Sequence, residues 1–76
     1  MEIFFTRHAR ARMLERPVSK FDILYALNSY YMSVMRDDRS SKRFAALPNG
    51  RTLKVWVSGG LPLESTAIII TVAWKE

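Results

Sequence analysis

The chain has 76 residues, 49% of them hydrophobic, and this length predicts one domain, residues 1–76. Because it contains no cysteine, a disulfide-stapled scaffold, a cysteine-ligated metal site and thiol chemistry are excluded. Twelve Lys and Arg against seven Asp and Glu leave a net charge of +5, which favours an anionic partner, either a nucleic acid or an acidic protein. Most of the cations are arginines, whose planar guanidinium binds phosphate through two parallel hydrogen bonds.

Near its N-terminus the chain has a short apolar segment, Glu2 to Phe5, which is typical of an edge strand. Thr6 then predicts the N-cap of a first helix, which we expect from Arg7 to Arg16, since this segment has no Gly or Pro and Pro17 ends it. One face of this helix is apolar. The neighbouring face is cationic and carries three side chains four residues apart, namely His8, Arg12 and Arg16.

A second helix is predicted from Ser19 to Asn28, because Ser19 and Asp22 have the spacing of a capping box with Asp in place of Glu or Gln. Two sets of side chains recur along it at helical spacing. We expect this helix to be a core element to which both sets contribute. The first set is Phe21, Leu24, Tyr25 and Asn28, and the second is Ile23 and Leu27.

From Tyr30 onward the period is two, which predicts four antiparallel strands. The turns between them are expected at Asp37 to Ser41, at Pro48-Asn49-Gly50 and from Gly59 to Pro62. The predicted strands are Tyr30 to Arg36, Lys42 to Leu47, Thr52 to Ser58 and Thr66 to Trp74. The fold class is therefore α+β, with a short N-terminal strand, two helices and a four-stranded antiparallel sheet.

The last two strands differ in their pattern. The third of the four predicted strands, Thr52 to Ser58, alternates between two faces. One face carries Leu53, Val55 and Val57 and the other carries Thr52, Lys54 and Trp56, so half of that strand is expected to be buried. The last strand is apolar on both faces, as expected of a central strand covered on both sides.

Several site types have no signal in this sequence. A P-loop, a nucleophile elbow and the spacing of metal ligands are missing, so neither a metal nor a cofactor is expected. The longest apolar run, Ala67 to Trp74, is far shorter than the roughly 20 residues that span a bilayer, and the N-terminus has no pattern of a signal peptide. A cytoplasmic protein without a membrane partner is expected.

The segment from Thr6 to Ser19 reads T-x-H-A-x-x-R-M-x-E-R-x-[IV]-S. It resembles the opening helix of a family of small bacterial domains of unknown function that is related to RelE, ParE and BrnT toxins, in the barnase, EndoU, colicin and RelE group of ribonuclease folds. Weaker matches extend the resemblance over nearly the whole chain, through Arg43-Phe44, a Val-rich strand and Thr71 within the final strand.

This resemblance implies a RelE/ParE-like fold in which a helical pair packs on the sheet. It also implies a toxin that is a metal-independent endoribonuclease, working by attack of the 2'-hydroxyl on the adjacent phosphate. The implied partners are RNA, such as mRNA or tRNA, and an acidic antitoxin or immunity protein. The alternative is a catalytically inactive module of the same fold that binds RNA or a protein.

Metal-free RNA cleavage needs a base, an acid and cations around the phosphate. His8 is the natural acid or base, because histidine is the side chain that changes its charge near neutral pH. Lys54 and Trp56, a cation beside an aromatic ring on an exposed sheet face, suit a phosphate and a stacked base. The candidate catalytic residues are His8, Arg12, Arg43, Lys54 and Thr71, and the candidate RNA-binding residues are Arg7, Arg16 and Trp56.

Each candidate also has a purely structural interpretation. His8 suits a helix surface, Arg12 and Arg16 suit a solvated basic face that Glu15 partly neutralises, and Thr71 is an ordinary β-branched strand residue. In the strands, Lys54 suits solvent and Trp56 a minor core. The direction of Arg43 stays open, because it shares a face with Ala45 and Leu47.

Overall fold

The computed structural model describes residues 2–36, 40–59 and 66–75. In these ranges the elements are β1 (Glu2–Phe5), α1 (Arg7–Glu15), α2 (Lys20–Ser29), β2 (Met32–Met35), β3 (Ser41–Ala46), β4 (Thr52–Gly59) and β5 (Thr66–Lys75). The α+β class is confirmed, and every predicted helix or strand is present with bounds within two residues of those expected.

The described strands form one five-stranded sheet in the order β1-β5-β4-β3-β2. The four strands β2 to β5 pair with one another in antiparallel orientation, as predicted. The expectation of a four-stranded antiparallel sheet is nevertheless wrong as a whole, because β1 joins it in parallel with β5, with Glu2 opposite Thr66 and Phe5 opposite Ile69. The physical reason is that the backbone groups on the outer side of β5 need hydrogen-bond partners, which β1 supplies.

Both helices begin at the predicted caps. The Thr6 hydroxyl accepts the Ala9 N–H at 3.0 Å and donates to the main-chain oxygen of Ile70 at 2.9 Å. At α2 the capping box is complete, since the Ser19 N–H donates to the Asp22 carboxylate at 3.0 Å and the Asp22 N–H to the Ser19 hydroxyl at 3.1 Å. The Thr6 bonds also tie the start of α1 to β5.

Both helices lie on one face of the sheet, where the core is formed. In α2 the prediction that both sets of side chains belong to the core is half wrong: Ile23 and Leu27 are buried with Ala26, whereas Phe21 is 82% exposed. Because α2 lies against β3 and β4 on one side only, the set with Phe21 faces away from the sheet. From the strands the buried core receives Ala45, Leu53, Val55, Val57, Ala67, Ile69 and Val72, and directly after β3 it receives Leu47.

The alternation predicted for β4 is confirmed, since Leu53, Val55 and Val57 are all buried. The expectation that β5 is covered on both sides is wrong, because Ile68 is 42% exposed. A β-bulge explains the continuous apolar run, since Trp56 lies opposite Thr71 but Val57 lies opposite Ile69. The extra residue between these pairs reverses the alternation of side chains along β5. Apolar residues before and after the bulge therefore face the same side of the sheet.

The turn at Pro48-Asn49-Gly50 is confirmed, and Gly50 has a φ of 83°, a left-handed conformation that favours glycine. Residues 37–39 of the first predicted turn and 60–62 of the last loop lie outside the described residues. In the part of the chain that is described, neither helix is long and apolar enough to cross a membrane.

Candidate nucleic-acid interface

The side of the sheet opposite the helices carries a cluster of lysine and aromatic side chains. Because neighbouring residues of a strand alternate between faces, the residues beside the buried Leu53, Val55 and Val57 point to this side. Strand register then places Lys42 and Thr71 on either side of Trp56, and Phe44 beside Lys54. We call this surface the open face and define it by six residues, which are Lys42, Phe44, Lys54, Trp56, Thr71 and Lys75.

Three lysines surround two aromatic rings on the open face. Lys42 Nζ lies 5.1 Å from the centre of the Phe44 ring and 5.2 Å from that of Trp56. Lys54 Nζ lies 5.7 Å from the Trp56 ring, and Lys75 Nζ lies 5.9 Å from the Phe44 ring. These distances are within the range of cation–π contacts, so the positive charges are held beside the rings.

Lysine stems also explain why Phe44 is only 8% exposed although neither described helix covers this side of the sheet. Lys42 and Lys75 lie over its ring, and the Tyr31 ring is 6.4 Å away. Long charged side chains cover apolar surface with their methylene groups while the charged end stays in water. The open face is therefore cationic at its surface and aromatic beneath.

A cleft of about 420 Å³ opens beside the open face, where α1 ends, β4 begins and β5 ends. Three of the described residues that line it are cations and none is an acid. We call it the cationic cleft; its lining residues are Arg16, Pro17, Arg51, Lys54, Ala73 and Trp74. Lys54 belongs to both surfaces, so the cleft and the open face are continuous.

Trp74 holds the wall of the cationic cleft in place. Its indole Nε1 donates a 2.6 Å hydrogen bond to the main-chain oxygen of Arg16, which caps the C-terminus of α1. Arg16 Nη1 donates to the main-chain oxygen of Val72 at 3.0 Å, and the Arg51 guanidinium stacks 4.1 Å from the centre of the Trp74 ring. Both arginines are thus positioned without a carboxylate partner among the described residues.

The turn before β4 positions Arg51. The Arg51 N–H donates to the Asn49 side-chain oxygen at 2.9 Å, and the Leu47 N–H donates to the Arg51 oxygen at 2.8 Å. The Gly50 N–H donates to the Leu47 oxygen at 3.0 Å. This hydrogen-bonded turn holds the backbone of Arg51, whose side chain lines the cleft.

The structure brings some of the predicted site residues together. Lys54, Trp56 and Thr71 share the open face, and Arg16 joins Lys54 in the cationic cleft. Arg43 is not with them, because it is 2% exposed on the helix side, opposite Val55. Its guanidinium lies 4.7 Å from the centre of the Tyr30 ring.

The remaining candidates lie on α1. Arg7 and His8 are exposed, and His8 forms no hydrogen bond or ion pair with another described residue. Arg12 forms an ion pair with Glu15, which confirms that Glu15 neutralises part of the basic face. His8 is eight residues from Arg16, which corresponds to about 12 Å along a helix axis. Within the described ranges, no three His, Asp or Glu side chains are grouped so that they could hold a metal ion.

Five charged or aromatic residues of the two surfaces are missing from the set predicted from sequence: Lys42, Phe44, Arg51, Trp74 and Lys75. Strand alternation could have identified the first two, since they flank Arg43 in β3 and so face the opposite side of the sheet. No local pattern indicates the cationic cleft, because it combines positions that are far apart in the chain.

Comparison of the chain with protein-family models, with curated proteins and with solved structures gives no match. The assignment of the open face and the cationic cleft therefore depends on their geometry and charge.

Proposed function

We propose that the chain binds single-stranded RNA across the open face, with the cationic cleft at one end of the binding surface. The observation that carries this proposal is the cluster of three lysines around Phe44 and Trp56. Proteins that bind single-stranded nucleic acids combine cations that follow the phosphates with aromatic rings on which bases stack. An RNA partner also fits the cytoplasmic location expected from the sequence.

Binding rearranges the lysines in this proposal. A lysine side chain is flexible, so Lys42 and Lys75 can move from the Phe44 ring to neighbouring phosphates and uncover the ring for a base. Trp56 is already partly exposed. The net charge of +5 adds long-range attraction for a polyanion.

The test is fluorescence anisotropy of a labelled single-stranded RNA with the full chain and with the variants Lys42→Gln and Lys54→Gln. Each variant should weaken binding about three- to tenfold at low salt, since one phosphate contact is lost. Lys20→Gln is the matched control, because Lys20 Nζ also lies over an aromatic ring, that of Phe5 at 6.0 Å, but on the helix side of the sheet. It should bind RNA like the wild type.

The same assay separates RNA from an acidic protein partner. Polyglutamate carries negative charge without bases, so it should compete for the labelled RNA only weakly if the aromatic rings contribute. Polyglutamate that competes as well as unlabelled RNA would favour the protein-interaction alternative. Equal RNA affinity of the wild type, Lys42→Gln and Lys54→Gln would contradict the proposed surface.

RNA cleavage is a second proposal, and so is the relation to RelE and ParE toxins that implies it. It is supported by the Thr6–Ser19 motif and by the exposure of His8 on the helix that ends at the cationic cleft. In the proposed step the 2'-oxygen attacks the adjacent phosphorus, the bond to the 5'-oxygen breaks, and the proton lost by the 2'-hydroxyl is balanced by one given to the 5'-oxygen. The product is a 2',3'-cyclic phosphate.

Cleavage is tested by incubating an RNA and its 2'-deoxy counterpart with the wild type and with His8→Ala, with and without EDTA. We expect cleavage of the RNA alone, unchanged by EDTA and reduced about 10²- to 10⁴-fold in His8→Ala, the usual contribution of a general acid or base. Cleavage of the deoxy strand, or full activity of His8→Ala, would contradict this mechanism.

A further inference from the structure

The cationic cleft contains more positive charge than one internal phosphate of an RNA strand requires. Arg16, Arg51 and Lys54 line it together, and no acid is among its described lining residues. An internal phosphodiester carries a single negative charge, whereas a terminal phosphate monoester carries about −1.5 to −2 near neutral pH. The charge in the cleft therefore matches a terminal phosphate better.

The two arginines of the cleft have N–H donors that no described residue accepts from. An arginine has five N–H donors, and the side-chain hydrogen bond of Arg16 to a described residue uses Nη1 alone. Arg51 is held by stacking on Trp74 rather than by a side-chain hydrogen bond to a described residue. Planar guanidiniums with free N–H groups are suited to bidentate recognition of phosphate oxygens.

The position and the volume of the cleft also fit the end of an RNA strand. It is continuous with the open face through Lys54, and its lining also includes Pro17 and the fixed Trp74 indole. Its volume of about 420 Å³ lies within the range of sites that hold small ligands, roughly 300 to 1,000 Å³. A terminal nucleotide with its phosphate falls in that class of ligand.

From this charge and geometry we infer that the cationic cleft binds the terminal phosphate of an RNA strand whose body lies on the open face. This inference rests on the proposed RNA binding and adds the recognition of the strand end. Arg16 and Arg51 hold the phosphate, while Lys54 holds the next phosphate at the boundary between the two surfaces.

The experiment measures the affinity of the full chain for short single-stranded RNAs of one sequence with four kinds of ends: hydroxyls at both, a 5'-phosphate, a 3'-phosphate, and phosphates at both. A strand one nucleotide longer with hydroxyl ends controls for the added charge. We expect one phosphorylated end to strengthen binding about tenfold, which corresponds to about 1.4 kcal/mol. The 5' and 3' arms show which end the cleft accepts.

Three variants test whether this preference arises in the cleft. In Arg51→Gln the advantage of the phosphorylated end should fall below about threefold while the hydroxyl-ended RNA still binds, because one of the two guanidiniums is lost. Arg10→Gln removes an arginine from an exposed position of α1 outside the cleft, and it should keep the full preference. Lys42→Gln should weaken all strands alike and also keep the preference.

The indole N–H signals of the two tryptophans give a second readout, assigned with Trp56→Phe. Hydroxyl-ended RNA should shift the Trp56 signal, and the phosphorylated end should in addition shift that of Trp74. Equal affinities for all four strands, or a preference that survives in Arg51→Gln, would overturn the inference while RNA binding stands. If the wild type binds none of the strands at low salt, the proposed function fails and the inference with it.

Discussion

The indole Nε1 of Trp74 donates to the main-chain oxygen of Arg16, so the end of the last strand caps the C-terminus of the first helix. The last carbonyls of a helix have no partner within the helix and must find one elsewhere. The same ring supports the Arg51 guanidinium on its face. One side chain thus stabilises the helix end and positions a cation of the cleft.

Trp74→Phe should lower the free energy of unfolding by about 1 to 2 kcal/mol, since the hydrogen bond and part of the packed indole are lost. The measurement is urea denaturation. Trp56→Phe is the matched control, because no hydrogen bond joins the Trp56 indole to a described residue, and it should cost less. Equal losses in the two variants would show that the bond to Arg16 does not stabilise the fold.

Thr6→Ala should lower the free energy of unfolding by about 1 to 2 kcal/mol, the upper part of the range for loss of an N-cap. The expected cost is high because the hydroxyl accepts from Ala9 and also donates to Ile70. Thr6→Ser keeps both bonds and should stay close to the wild type in the same denaturation experiment. A Thr6→Ser variant as unstable as Thr6→Ala would assign the effect to the lost methyl group.

Arg43→Ala should act on stability rather than on RNA binding. The side chain is buried on the helix side and stacks on Tyr30, so its removal should cost about 2 kcal/mol or more, as for other large buried side chains. RNA affinity, corrected for the folded fraction, should stay unchanged. Arg36→Ala, at an exposed position, should change stability by less than about 0.5 kcal/mol. Weaker RNA binding by a stable Arg43→Ala would instead place Arg43 in the interface.

Lys42→Gln and Lys75→Gln should each make the salt dependence of RNA binding shallower. For single strands the slope of log K against log salt changes by about 0.7 for each phosphate contact. The double variant should change it by about twice that amount, and the Lys20→Gln control should not change it. A slope that is the same in the wild type, the two single variants and the double variant would show that Lys42 and Lys75 do not contact phosphates.

Local chemistry made much of the fold predictable. The caps at Thr6 and at Ser19 with Asp22 depend on hydrogen bonds within three residues, so their spacing in sequence is sufficient. The alternation in β4 likewise shows which side chains are buried and places Lys54 and Trp56 on the opposite face. In β3 the same rule placed Arg43 on one face with Ala45 but left the direction of that face open, and the structure buries it.

What could not be predicted depends on distant pairing. The parallel contact of β1 with β5 joins Glu2 to Thr66, and no pattern within either segment specifies the partner. The cationic cleft has the same origin, since Arg51 and Trp74 meet only because the sheet places the start of β4 beside the end of β5. The bulge opposite Trp56 and Val57 also depends on how two strands fit together.

Beyond Ile69, β5 has no strand beside it on the side of β1 in the described part of the chain. A bare sheet edge is a template on which another molecule can add a strand, and this is a common beginning of aggregation. Here the Thr6 hydroxyl occupies the carbonyl oxygen of Ile70, and the Arg16 guanidinium occupies that of Val72. An invading strand would have to displace both side chains, so this edge resists intermolecular growth of the sheet.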